Sequence, residues 1–78
     1  MTARHLAEQY IHETAEAIWH REQSAAAAHF NGALADHHDN AAEYHTALAE
    51  VHQRYGRELH GQEFDETVAL RWDAVTAA

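Results

Sequence analysis

Residues 34–55 read LADHHDNAAEYHTALAEVHQRY. Along this stretch Leu34, His37, Ala41, Tyr44, Leu48, Val51 and Tyr55 step by three and four in alternation. That spacing keeps one face of a helix turned toward a neighbour over three heptads. Asp36, Glu43, Glu50 and Arg57, seven apart, fall on the opposite, solvated side. A run this long, free of proline and of strand-like alternation, predicts a long helix and an all-α fold.

The flanking sequence extends the same reading. Asn31-Gly32 breaks the pattern before the heptads, since both residues tolerate the left-handed backbone that ends a helix. A competing break at His37–Asn40, where Asn40 and Glu43 have capping-box spacing, is disfavoured because the heptads run through it. Upstream, Thr2 is a suitable N-cap for a first helix over about 3–30. Its core stripe is read as Ala7, Ile11, Thr14, Ile18 and Ala25, with Leu6 on the margin, and Trp19, Ala26 and Phe30 form a second apolar stripe. Downstream, Gly56 and Gly61 mark the end of the second helix, expected over about 33–60, with Gly61 the stronger stop. Asp65 can cap a short third helix over about 66–76, whose apolar side is Phe64, Val68, Trp72 and Val75. The expectation is a single helical domain, 1–78: two long antiparallel helices and a short third, completed by oligomerisation.

Composition says why completion is needed. Of the 78 residues 18 are alanine, and Leu, Ile, Val and Phe together number only 12. A chain this short and this poor in large side chains builds a thin core. Cysteine is absent, which excludes disulfides and thiolate sites. Thirteen acids against five scattered arginines give a net charge of −8, so direct nucleic-acid binding is not expected. The start lacks a signal-peptide core and the longest aliphatic run, Ala25–Ala28, is far too short for a membrane span. The expectation is a cytoplasmic protein that does not engage membranes.

Nine histidines are the chemical oddity, at 5, 12, 20, 29, 37, 38, 45, 52 and 60. No two are three or four apart, so no helix carries a ready pair of imidazole ligands. Glu8, His12, Glu16 and His20 step by four along the first helix, a ladder of side-chain pairs that also has the composition of a carboxylate–imidazole metal face. His38, His45 and His52, seven apart, border the heptad seam. In an antiparallel pair of second helices they would gather between chains, to cover the seam's edge, to sense pH, or to bind zinc, nickel or copper. Catalysis lacks parts: Ser24, the lone serine, sits in a helical context, and the glycines form no phosphate loop. No enzyme is expected.

Over Phe30-Asn31-Gly32 the chain resembles the turn of small secreted helical hairpins named for Trp-x-Gly. Phe stands for Trp here, both arms are shorter and a third helix follows, so no function is carried over.

The sequence therefore predicts a small, acidic, non-enzymatic helical interaction module. Leu34, Ala41, Tyr44, Leu48, Val51 and Tyr55 form its self-association seam. Trp19, Phe30 and Ala26 contact a partner protein, and inhibition by occupying a basic surface fits the charge. The alternative is a transition-metal-binding or pH-sensing protein built on His38, His45 and His52.

Overall fold

A computed structural model describes residues 1–77 and consists of three helices: α1 (Ala3–Ala27), α2 (Gly32–His60) and α3 (Gln62–Thr76). The fold is all-α, with two long antiparallel helices and a shorter third. Their opposed directions are visible in the side chains that join them. His60 Nε2 donates to the Met1 carbonyl at 2.9 Å at one end, Glu13 meets His45 further along, and His20 meets His38 nearer the turn.

Local chemistry fixes each boundary. Thr2, in extended backbone, accepts from the His5 N–H at 3.0 Å and starts α1. Asn31 likewise accepts from the Leu34 N–H at 3.0 Å and starts α2. Because Asn31 is extended (φ −152°, ψ 91°), the chain must leave helix before it. Accordingly α1 ends at Ala27 rather than at Phe30, and Phe30 lies in the turn with its N–H on the Ala27 carbonyl. Gly61, at φ 57°, is the stop between α2 and α3. Here the structure corrects the expected start of the third helix. The chain re-enters helix at Gln62, directly after the glycine, and Asp65 is not a cap but an ion-pair partner of Arg57 at 3.1 Å. Gly56, read as a helix end, lies inside α2.

The core is as thin as the composition implies. Phe64, Leu6 and Ile11 are its largest fully buried side chains. Phe64 of α3 caps Leu6 and Ala7 of α1, with Tyr10 and Val68 packed alongside; Tyr10 meets the Phe64 ring edge-on at 5.8 Å. Burying a side chain of this size stabilises the fold by about 1.5–3 kcal/mol. Arg71 of α3 adds a contact to Glu8 of α1 at 2.9 Å. These contacts all fall on the first half of α1, so α3 braces the end of the hairpin that is remote from the Ala28–Asn31 turn.

The register of α2 differs from the expected one by a single residue. The face against α1 is Ala35, His38, Ala42, His45, Ala49, His52 and Gly56, again stepping by three and four: the alanines and the glycine are buried and the histidines half-buried. The heptad face is rotated outward from α1, and Tyr44 (62%) and Tyr55 (56%) on it are exposed. Small side chains explain the choice. Interaxial distance follows the side chains at the contact, and α1 offers Ala17, Ser24 and Ala27, all buried. An alanine stripe facing them brings the helices close, whereas the tyrosines would hold them apart. For the same reason the stripe of α1 turns toward Leu6 and Ala17, leaving Ile18 and Ala25 exposed rather than in the core.

Candidate functional site

Two features stand out from this scaffold. One is a cluster of imidazoles between α1 and α2. His20 comes from α1, one turn after Glu16; His38 and His45 come from the inner face of α2. His20 and His38 share a hydrogen bond between their Nδ1 atoms at 2.9 Å, which requires one ring to donate and the other to accept, so at least one of the pair is neutral. His45 Nδ1 is bonded to the Glu13 carboxylate. The His20 and His45 rings stack nearly parallel, 10° apart in plane, with centroids 5.5 Å apart. Glu16 Oε2 lies 3.9 Å from His20 Nε2. Trp19 covers the cluster, its ring edge-on to both His20 and His38.

The electrostatics follow from crowding. Burial, and then the charges that His38 and His45 would carry, hold the His20 imidazole below the usual histidine range, with Glu16 acting in the opposite sense. The His20 side chain is 14% exposed, and those of His45 and Glu13 21% and 16%. A neutral imidazole is the form that binds metal.

His52, the third member of the heptad-spaced set, lies apart. It lines an open groove of about 530 Å³ with His12, Glu13 and Arg71. The structure thus joins His38 and His45 to α1 of the same chain and leaves His52 outside the cluster. The sequence contained both halves of this arrangement, the Glu16–His20 pair and the His38/His45 spacing. Only the one-residue rotation of α2 makes them face each other.

The second feature is the outward face of α2. Tyr44, Val51, Tyr55 and Leu59 are exposed, with Leu34 at its start; Ala41 and Leu48 are half-buried beneath them. Asn40, Ala47 and Arg54 edge this strip and are exposed. Of the residues read as partner contacts, Ala26 and Phe30 are exposed by the turn, while half-exposed Trp19 is shared with the imidazole cluster.

The fold and these surfaces define a three-helix, alanine-seamed hairpin protein. No protein-family model matches the chain, and neither a curated protein nor a solved structure does. Among the described residues, no helix is long and apolar enough to cross a membrane.

Proposed function

We propose that this protein is a self-associating helical module whose α2 pairs with α2 of a second copy. One observation carries the reading: large apolar side chains are distributed inside out. Among the described residues ten are exposed, including Leu34, Tyr44, Val51, Tyr55 and Leu59 on one face of α2, while the fully buried large ones are Phe64, Leu6 and Ile11. Contiguous apolar faces of this kind mark interaction surfaces. Heptad spacing is the geometry in which such a face fits a copy of itself.

Charge selects the direction of pairing. A parallel pair would set Arg54 and Glu58, both exposed beside the strip, each against its own counterpart in the second copy. An antiparallel pair centred on Tyr44 carries each away from its counterpart. Ala47 and Asn40, edging the strip, then approach each other across the axis without crowding.

The test is the mass of the particle in solution. Sedimentation equilibrium of the wild-type chain should give a dimer, and Tyr44→Glu combined with Val51→Glu should give a monomer of unchanged helicity by circular dichroism. Both positions are exposed, so the hairpin itself does not depend on them. A wild-type chain that remains monomeric across micromolar concentrations overturns the reading.

A further inference from the structure

The side chains that join α1 to α2 near the turn also make a donor set. Glu16, His20 and His45 each present one ligand atom, and these atoms all lie within 4.8 Å of one another. The Glu16–His20 pair is already at 3.9 Å. A tetrahedral ion with bonds of about 2.0–2.1 Å holds its ligands roughly 3.3 Å apart, so side-chain movement alone closes the set.

The orientation of the rings matters more than the distances. A histidine that ligates through one nitrogen donates its other N–H to a carboxylate or another acceptor, which fixes the tautomer and aims the ligating lone pair. Both histidines here have that partner. His45 holds Glu13 through Nδ1, leaving Nε2 as its ligating atom. His20 meets His38 through Nδ1, and its Nε2 faces Glu16. One assignment suits an ion: both Nδ1 atoms protonated, donating to the Glu13 carboxylate and to the His38 Nδ1, which leaves both Nε2 lone pairs and the Glu16 carboxylate for a cation placed between them.

We propose that Glu16 Oε, His20 Nε2 and His45 Nε2 form a binding site for a divalent transition ion of the zinc type, with Glu13 and His38 as the supports of the two imidazoles. Two imidazoles and a carboxylate suit zinc and its neighbours rather than magnesium or calcium, which take oxygen donors. Three protein ligands leave a fourth position for solvent, and Glu16 is the most exposed of the three. The site lies within one chain and differs from a cluster of His38, His45 and His52 between chains; it stands whether or not the protein dimerises.

Binding should clamp α1 to α2 in the half of the hairpin that α3 does not reach. The ion would therefore stabilise the fold by mass action.

The experiment is titration of metal-stripped protein with Zn²⁺ by calorimetry and with Co²⁺ by visible absorption, which reports tetrahedral coordination. The wild-type chain should bind one ion per chain. His20→Gln and His45→Gln should abolish the cobalt bands, and Glu13→Gln should weaken binding about 10–100-fold. Replacing His5, His12 and His29 together with Gln should leave affinity unchanged, because none belongs to the set. If His20→Gln or His45→Gln loses helicity, Glu16→Gln replaces it as the ligand variant, since Glu16 holds no contact between helices. Absence of binding, wild-type affinity in the ligand variants, or equal loss in the His5/His12/His29 variant would overturn the proposal.

Discussion

The ring of Phe64 occupies the space that a side chain at position 56 would fill. A Cβ built on Gly56 falls 2.6 Å from Phe64 Cγ and closer still to the ring edge. Helix α2 therefore carries a glycine in its interior, at a cost of about 1 kcal/mol in propensity relative to alanine, so that α3 can close over Leu6 and Ala7.

Gly56→Ala should accordingly destabilise the protein, although it improves helix propensity. Overpacking of this kind costs about 1–3 kcal/mol, and the ring cannot yield without uncovering the core. Phe64→Leu should relieve part of the strain. Urea unfolding of the two single variants and the double variant checks this: the double variant should be more stable than the sum of the singles requires.

The imidazole cluster gives the metal-free protein a stability that depends on pH near neutrality. His20 is held below the usual histidine range by burial and by His38 and His45. Below about pH 6.5 the unfolded chain takes up a proton at this position that the folded chain refuses. The contribution is thus present above that pH and is lost as pH falls through the folded-state value. Unfolding midpoints measured with chelator from about pH 7.5 to about pH 5.5 should fall, and His20→Gln should flatten the slope. Proton NMR of the His20 ring should show a midpoint below the usual histidine range.

A second titration operates in acid. Glu8 bridges Arg4 of its own helix and Arg71 of α3, and its carboxyl is held below the usual glutamate range, first by the Arg4 hydrogen bond and then by Arg71. A depressed carboxylate stabilises above the unfolded value and loses that contribution as pH falls through the folded one. Arg71→Gln should loosen α3 at neutral pH and reduce the acid sensitivity. Because the pair is a third exposed, the effect should shrink in added salt, which thermal melts at two ionic strengths will show.

The three helices, their antiparallel order and the stops at Asn31 and Gly61 were readable from spacing and capping chemistry alone. Which face of α2 turns inward was not. The residues at 34, 37, 41 and onward obey the same three-four rhythm as those at 35, 38, 42 and onward, and a hydrophobicity criterion favours the set with Leu, Tyr and Val. The alanine–histidine set wins because it matches the small residues of α1 in size, a property of two surfaces together. The imidazole cluster went unrecognised for the same reason: its members lie on different helices, and their meeting depends on that rotation. Gly56 looked like a terminus because its true partner, Phe64, belongs to the helix beyond the stop.

Helix α3 covers only one end of the hairpin, and this divides the molecule into regions that should open separately. Around Phe64 the helices are joined chiefly by apolar burial, which is indifferent to protons and ions near neutral pH; the Glu8–Arg71 pair at this end gives way only in acid. Beyond Glu13 they are joined by a lean alanine stripe, by a hydrogen bond from Arg21 to the Thr46 hydroxyl at 2.8 Å, and by Glu13, His20, His38 and His45, whose attraction depends on what the solution contains. The turn end therefore behaves as a latch and the α3 end as its hinge. Amide exchange should be slow beside Leu6 and Gly56 and fast near Ser24 and Ala35, and conditions that reset the latch should leave the hinge closed.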